Sequence, residues 1–350
     1  MVDDVEAAIA SGRDPLGDAF CGLRSPEQRR PSGATYTPAA IVRSMLAWTT
    51  GRSEPERIID PGVGSARFLV EAARRWPSSR LVGMDTDPVA ALMARATLRA
   101  SGLASRSAIF LTDYRLGLPT DGARGPTLFV GNPPYVRHHL IEERWKQWLT
   151  AAARRRGLPV SQLAGLHVHF FLATVEQARA GDYGAFVTAA EWLDVNYGAL
   201  VRELFLGDLG GIALHVIDPR AMPFPDAAAT AAIACFEVGA KPASIHFRRI
   251  DSLDSLGDLG EGQPVCRERI EAAPRWTPLT GGARDIPIGF VELGELCRVR
   301  RGQVTGANDF WIHGSIRSAS PRKSCFPPSR VRVSSSRPAR LSGTRPRCAG

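Results

Sequence analysis

Short apolar strands alternate with helical segments from about Arg57 to Val238, and this alternation constrains the fold more than any other feature. The candidate strands are Arg57–Asp60, Leu81–Asp85, Ala108–Asp113, Thr127–Gly131, Gly184–Thr188, Ile212–Asp218 and Thr230–Val238. The helical segments between them are Ser65–Trp76, Pro88–Ser101, Leu166–Ala180 and Tyr197–Leu206. The pattern predicts an α/β fold, a Rossmann-like doubly wound sheet of about seven strands.

Polar side chains stand where four of these strands end. They are Asp60, Asp85, Asp113 and Asn132. Because open sheets of this class bind ligands at the carboxyl ends of their strands, we expect the four side chains to share one cleft.

The strand Thr127–Gly131 runs directly into Asn132-Pro133-Pro134-Tyr135. Neither proline can donate a backbone N–H, so the strand stops and the carbonyls of Asn132 and Pro133 are presented in a stiff turn. Asn132 adds a side-chain oxygen acceptor, and Tyr135 adds a flat ring on which a base can stack. These oxygen acceptors and this ring suit a ligand with a planar amino group, because its N–H groups can donate hydrogen bonds to the oxygens. The alternative is an Asn-Pro turn with no function.

A loop of small residues, Asp60–Phe68, follows the first strand and opens a helix. Gly62 and Gly64 let the backbone approach a ligand at the helix N-terminus. Asp85, 21 residues after Gly64, is placed to accept hydrogen bonds from ribose hydroxyls. A nicotinamide dinucleotide enzyme would fit these residues as well, although Arg67 replaces the third glycine of that fingerprint.

Two further positions allow a structural and a functional interpretation. Asp113 either accepts from an adenine amino group or simply ends its strand in a turn. Tyr36-Thr37-Pro38 precedes an apolar helical stripe, so we predict that Thr37 is the N-cap and that Pro38 lies in the first turn. The functional interpretation adds that this cap closes over the charged end of a cofactor.

The net charge of +9 comes from one end of the chain. Residues 314–350 hold eight arginines, one lysine and no acidic residue, and the 44 basic residues less these nine equal the 35 acidic ones. A basic composition therefore gives no evidence for nucleic-acid binding by residues 1–313. The six cysteines are scattered without a Cys-x-x-Cys pair, which suits free thiols in a reducing cytoplasm. No apolar run approaches the roughly 20 residues that span a bilayer.

His138-His139 and His167-x-His169 lack the spacing and the neighbouring ligands of a zinc site, so we expect no metal. Residues 137–165 are rich in Arg and Trp and predict a helical insertion or lid. The expected domains are an N-terminal extension (1–30), a catalytic domain (31–249), a Gly/Pro/Asp-rich linker (250–287), a further unit (288–313) and an Arg/Ser/Pro-rich disordered tail (314–350).

Together, these motifs resemble the gamma-class adenine-N6 DNA methyltransferases of restriction–modification systems. The elements occur in that family's order: Tyr36-Thr37-Pro38, Asp60–Phe68, Asp85, Asp113 and Asn132–Tyr135. The likeness covers about residues 30–313 and includes Arg300–Trp311, which resembles the start of the family's DNA target-recognition domain. Ala66 departs from the pattern, because the family usually has its last loop glycine there. From the resemblance, we expect the recognition domain to begin at residue 288 and to be truncated within about 25 residues.

The resemblance implies transfer of a methyl group from S-adenosylmethionine to adenine N6 of double-stranded DNA after base flipping, in the cytoplasm, without a metal or a membrane. A separate specificity or restriction subunit is an allowed partner. The implied cofactor-binding residues are Tyr36, Thr37, Pro38, Asp60, Gly62, Gly64, Phe68, Asp85 and Asp113. The implied catalytic residues are Asn132, Pro133, Pro134 and Tyr135, with Tyr197 as a candidate for the opposite face of the base. The alternatives are a protein-glutamine or RNA methyltransferase, and an inactive remnant that binds S-adenosylmethionine.

Overall fold

The computed structural model describes residues 2–29, 33, 35–118, 122–221, 224 and 230–281. The chain divides into two compact units, Met1–Ala283 and Arg284–Gly350, and the described residues belong to the first. The expected recognition-domain start (288–313) and tail (314–350) therefore lie outside the described residues.

A central sheet organises the described unit. Its strands are β1 (Arg57–Asp60), β2 (Arg80–Asp85), β3 (Ser107–Leu111), β4 (Thr127–Gly131), β5 (Tyr183–Ala189), β6 (Gly211–Ile217), β7 (Ala231–Glu237), β8 (Ser244–Ile250) and β9 (Gln263–Cys266). Their order across the sheet is β3-β2-β1-β4-β5-β7-β6-β8-β9. Strand β7 runs antiparallel between β5 and β6, and β9 runs antiparallel to β8 at the edge. The doubly wound α/β class is as predicted, but the described residues form nine strands instead of about seven.

The direction of winding reverses between β1 and β4. From β1 the sheet continues to β2 and β3 on one side, and from β4 to β5 on the other. Ile58 in β1 is paired in parallel with Leu81 of β2 and with Leu128 of β4. Doubly wound sheets open a crevice at the carboxyl ends of the strands at such a point. This topology places the turn that follows β4 beside the loop that follows β1.

Helices cover both faces of the sheet. They are α1 (Val2–Ala10), α2 (Pro15–Leu23), α3 (Pro26–Arg29), α4 (Ala39–Trp48), α5 (Arg67–Arg75), α6 (Pro88–Ala100), α7 (Glu143–Arg155), α8 (Leu166–Gln177), α9 (Ala199–Leu206) and α10 (Arg267–Glu271). Neighbouring strand residues face opposite sides: Ile58 and Leu128 pack with α4, α5 and α6, whereas Ile59 and Phe129 pack with α7, α8 and α9. Within the described ranges, no helix has the length and apolar character needed to cross a membrane.

The segment expected to be a linker (250–287) is folded over its described part, which corrects that prediction. Strand β9 pairs with β8, and α10 follows it. Trp276 is 1% exposed and lies among the rings of Trp192, Phe205 and Phe247, with centroids 6.0–6.1 Å away. The Gly and Asp residues form turns, while a few apolar side chains enter the core.

The residues expected to be an N-terminal extension (1–30) pack on the same unit where they are described. Helices α1 and α2 contact α6, and Ala8 and Ile9 are buried. The N-terminal helices are therefore part of the wall around the sheet.

Candidate active site

Four strand ends meet in one cleft, as the sequence predicts. Asp60 and Asp85 end β1 and β2, Asn132 follows β4, and Asp113 lies two residues after β3. The cleft encloses about 1020 Å³ of empty volume, part of it open to solvent. The predicted site residues that line it are Tyr36, Thr37, Asp60, Gly62, Gly64, Phe68, Asp85, Asp113, Asn132 and Pro134. Pro38, Pro133, Tyr135 and Tyr197 are outside the lining.

The Asn132 side chain is fixed on one side and unpaired on the other. Its Nδ2 donates to the carbonyl oxygen of Thr35 and to Oγ1 of Thr37, both at 3.0 Å. Because a carbonyl oxygen only accepts, the amide must present its nitrogen to Thr35. Oδ1 is buried and has no hydrogen-bond partner among the described residues. Leaving such an acceptor unsatisfied costs about 1–3 kcal/mol, so a ligand N–H at this oxygen would be stabilised.

The rest of the turn is held against the chain segment around Gly33. The backbone N–H of Tyr135 donates to the carbonyl of Gly33 at 3.2 Å. Gly33 has φ +65°, and a Cβ there would lie 2.6 Å from the Tyr135 nitrogen, so only glycine fits. The half-buried Tyr135 ring meets Phe224 edge to face at 5.9 Å, and burial raises the pKa of its hydroxyl. That hydroxyl has no partner among the described residues.

The helix cap predicted at Thr37 is wrong. Helix α4 begins at Ala39, its N-cap is Pro38, and no side chain caps it. The Thr37 hydroxyl instead accepts the hydrogen bond from Asn132. Thr37 therefore links the segment before α4 to the turn after β4. The predicted packing of α4 is correct, since Ile41 and Met45 are fully buried.

The loop after β1 contacts the Asp85 carboxylate through the backbone of Gly64. Gly64 has φ +52°, and its N–H donates to Asp85 Oδ2 at 3.1 Å. Ala66, the N-cap of α5, has φ 69° and is fully buried. Because L-residues with a Cβ rarely adopt this left-handed conformation, the backbone explains why glycine is usual at this position in the resembled family.

Two buried carboxyl groups give the cleft its electrostatic character. Burial, with a smaller contribution from the charge of Asp85, raises the pKa of Asp60 to about 8. Burial also raises the pKa of Asp85, against the lowering effect of N–H donors from Asp87 and Gly64. A cationic ligand, or one rich in N–H and O–H groups, would offset this loss of solvation.

Asp113 lies in the turn after its strand, as the structural interpretation predicts, and it also lines the cleft. Its Oδ1 accepts from the backbone N–H of Arg115 at 3.0 Å, which caps a short 3₁₀ turn. The guanidinium of Arg115 also bonds both carboxylate oxygens, with Nε to Oδ1 at 2.9 Å and Nη2 to Oδ2 at 2.6 Å.

Comparison with known proteins assigns the family. Residues 11–193, just over half of the chain, match the model of the family described as N-6 DNA Methylase. The chain belongs to the N-6 DNA methylase family.

The chain is 48% identical over 315 residues to the Type II methyltransferase M.XamI of Xanthomonas campestris pv. amaranthicola, covering 90% of this chain and 58% of that protein. It is 22% identical over 297 residues to the Type II methyltransferase M.AccI of Acinetobacter calcoaceticus, covering 81% and 54%. The chain thus spans little more than half the length of these relatives. Among solved structures, the Type IIG restriction endonuclease BpuSI has a TM-score of 0.58 at 15% identity, covering 76% of this chain and 34% of that one, a likeness of fold alone.

Sequence reasoning missed that α2 contributes a residue to the cleft lining and that the residue before α2 bonds two other lining residues. Asp14 Oδ2 accepts from Ser65 Oγ at 2.5 Å and from Arg67 Nε at 2.9 Å. Phe20 lines the cleft and lies 5.7 Å from the Tyr36 ring. Asp14-Pro15 is a readable helix start, but the contact across 51 residues to Ser65 leaves no local signal.

The predicted lid contains α7, and its aromatic residues face inward. Trp145 is 8% exposed and covers the Arg115 guanidinium, whose carbon lies 3.8 Å from the ring centroid. Of the neighbouring arginines, Arg155 pairs with Glu176, and Arg156 pairs with Glu176 and Asp208. These contacts favour a structural role over contact with DNA for Trp145, Arg155 and Arg156.

The histidines of α8 are buried. Burial lowers the pKa of His167 to about 4 and that of His169 to about 3, so both rings are neutral at pH 7. No group of His, Cys, Asp and Glu among the described residues has the arrangement of a metal site. Tyr197 donates to Glu191 Oε2 at 2.7 Å, and its role at the base stays a prediction.

Proposed function

We propose that this chain carries the catalytic part of an S-adenosylmethionine-dependent DNA methyltransferase that methylates adenine N6 in restriction–modification. The observation that carries the proposal is the buried Oδ1 of Asn132, which has no partner among the described residues and belongs to an amide held by Thr35 and Thr37. The family match and the Type II methyltransferase relatives support DNA as the substrate.

The cleft suits S-adenosylmethionine chemically. This cofactor carries a cationic sulfonium, an ammonium, ribose hydroxyls and an adenine amine, and it supplies an electrophilic methyl group when bound. The loop glycines Gly62 and Gly64 let the ligand approach the backbone. Asp85 would accept from the ribose hydroxyls and Asp113 from the adenine amine, while Asp60 lies in the loop that encloses them.

Asn132 and Pro133 would act on the target amine. An exocyclic amine is a poor nucleophile because its lone pair is delocalised into the ring. Hydrogen bonds from its two N–H groups to Asn132 Oδ1 and the Pro133 carbonyl favour a pyramidal nitrogen with a localised lone pair. Since Asn132 is held by Thr35 and Thr37 before the substrate arrives, its contribution is electrostatic preorganisation combined with alignment.

The target base has to leave the duplex, because its amine is paired and stacked there. Tyr135 would stack on the flipped base, a contact worth about 1–3 kcal/mol in other base–aromatic pairs. Selection of the target sequence is assigned to residues outside those the structure describes, or to a separate specificity subunit.

Methyl transfer to defined substrates tests the proposal. The full chain is incubated with methyl-labelled S-adenosylmethionine and, in parallel, double-stranded DNA, RNA and release-factor protein. We expect label in DNA, and N6-methyladenine on nucleoside mass spectrometry. Label in protein or RNA alone would support the other methyltransferase classes, and cofactor binding without transfer to any substrate would support the inactive remnant.

A further inference from the structure

Arg115 holds the Asp113 carboxylate in a single orientation at the wall of the cleft. Oδ1 receives two hydrogen bonds from Arg115, from the backbone N–H at 3.0 Å and from Nε at 2.9 Å. Oδ2 receives one, from Nη2 at 2.6 Å. The Arg115 side chain is 7% exposed and that of Asp113 is 16% exposed. A paired fork of this kind is fixed in plane as well as in distance.

The three bonds leave one acceptor position on the carboxylate. A carboxylate offers about four lone-pair sites in total. The structure gives no other hydrogen bond to Asp113 among the described residues, and both Asp113 and Arg115 line the cleft. The remaining acceptor site is on Oδ2, so a ligand N–H or O–H group that entered the cleft would meet an acceptor of fixed direction.

We propose that Arg115 is a positioning residue that makes the cleft select a 6-aminopurine over a 6-oxopurine. This inference rests on the proposed function, because it takes the cofactor's adenine as the group beside Asp113. An amino group donates to the remaining oxygen site. A 6-oxo group would instead place one acceptor against another, a carbonyl oxygen against Asp113 Oδ2.

Two ring side chains contact the Arg115 guanidinium, one from α7 in the lid and one from α8. Trp145 of α7 covers one face of the guanidinium at 3.8 Å. On α8, His169 Nδ1 lies 3.4 Å from Nη1. Because Arg can only donate, Nδ1 is the acceptor of this long contact. His169 is neutral at pH 7 and does not repel the guanidinium.

A second Asp-x-Arg fork in the same chain supplies a matched control. At the end of β6, Asp218 Oδ1 accepts from the backbone N–H and Nε of Arg220 at 2.9 and 3.0 Å, and Oδ2 accepts from Nη2 at 3.1 Å. The local geometry is the same, yet the Arg220 side chain is 82% exposed and neither residue lines the cleft. The two forks differ in the exposure of the arginine and in their location, and Asp218, whose side chain is 3% exposed, also accepts from Arg249 Nη2.

The test compares Arg115→Lys with Arg220→Lys. Calorimetry gives the Kd of S-adenosylhomocysteine and of S-inosylhomocysteine, which has a 6-oxo group. In the unaltered protein we expect the oxo compound to bind at least about tenfold more weakly, as for a lost hydrogen bond to a charged group. Lysine keeps the charge but not the fork. Arg115→Lys should therefore weaken the amino compound about tenfold and leave the oxo compound unchanged, so the two affinities converge. Arg220→Lys should change neither.

Each other result has a distinct meaning. Equal weakening of both compounds by Arg115→Lys would show a purely structural role, and unchanged affinity for both compounds would show that Asp113 needs no positioning. Either result overturns the inference and leaves the proposed function standing. If the unaltered protein bound neither compound, the proposed function would fall with it. If Arg115→Lys did not fold, NMR of the unaltered protein would replace this comparison. The Nε–H resonance of Arg115 is assigned through correlations within its own side chain and followed as each compound is added. It should shift with the amino compound and not with the oxo compound, and an equal response to both would overturn the inference.

Discussion

The two polar atoms of the Asn132 amide differ in their contacts. Nδ2 donates two hydrogen bonds, whereas Oδ1 has no partner among the described residues. The sequence predicts the acceptor from the Asn-Pro-Pro-Tyr turn, because two prolines and a strand end are local features. It does not predict what holds the acceptor, since Thr37 is 95 residues away along the chain. For the same reason Thr37 was expected to cap a helix: the local Thr-Pro pattern is real, but a distant partner competes for the hydroxyl.

The first residue-scale prediction concerns Asn132→Ala. Removing one preorganised hydrogen-bonding group typically costs about 10²–10³-fold in kcat, and we expect a loss of at least that size. Cofactor affinity should be retained, because the Asp85 carboxylate is held by the Gly64 N–H and not by Asn132. Radiolabel transfer and calorimetry measure the two quantities. Equal loss of both would contradict this division of roles.

The second concerns the pH dependence caused by Asp60, whose pKa is raised by burial from 3.8 to about 8. Between these values the folded protein keeps the proton that the unfolded chain has released. The unfolded state then binds fewer protons, so stability falls as pH rises through this window. Asp60→Asn removes the titration. Urea titrations give the free energy of unfolding of the ligand-free protein and of the Asp60→Asn variant. The value for the unaltered protein minus that for the variant should therefore decrease from pH 4 to pH 8. Parallel curves would show that Asp60 ionises normally.

At the scale of elements, the N-terminal helices show where local sequence signals stop being informative. A proline after Asp14 and a side-chain bond from Asp14 to the Gly17 N–H mark the start of α2. Nothing local indicates that the same carboxylate also reaches Ser65 and Arg67. The sequence analysis therefore treats residues 1–30 as an extension, although α2 supplies part of the cleft wall.

The corresponding prediction is that Asp14→Ala loosens this wall. The side chains of Asp14 and Arg67 are 11% and 22% exposed, and the loss of a partly buried charged hydrogen-bond group should cost about 1–2 kcal/mol of unfolding free energy. The control is Asp18→Ala, because Asp18 also pairs with Arg67 but at 3.4 Å and with 76% exposure. Exposed pairs contribute about 0–1 kcal/mol. Urea denaturation of both variants measures the difference, and equal effects would place the docking contact elsewhere.

At the scale of the whole molecule, the sequence predicts the parts of the sheet whose signal is continuous. The seven strands between Arg57 and Val238 read as apolar runs separated by helices, and all seven are present. Strands β8 and β9 were missed. In β8, buried and polar residues alternate, and β9 has four residues of which one is buried. The alternation in β8, which has seven residues and lies between β6 and β9, is a strand signal that lies beyond the last predicted strand. Strand β9 is a short edge element that is fixed by pairing with β8, so its own composition resembles that of a loop.

Trp276 tests whether the segment taken for a linker is structural. Its ring is 1% exposed and contacts Trp192, Phe205 and Phe247. Trp276→Ala leaves a cavity between helix α9 and strand β8, and truncations of buried aromatic residues cost about 3–5 kcal/mol. Arg275→Ala changes the neighbouring, exposed residue and should stay within about 0.5 kcal/mol. Urea denaturation followed by circular dichroism gives both values. If the two variants were equally stable, the Trp276 ring would contribute nothing to the packing of the described unit, contrary to this prediction.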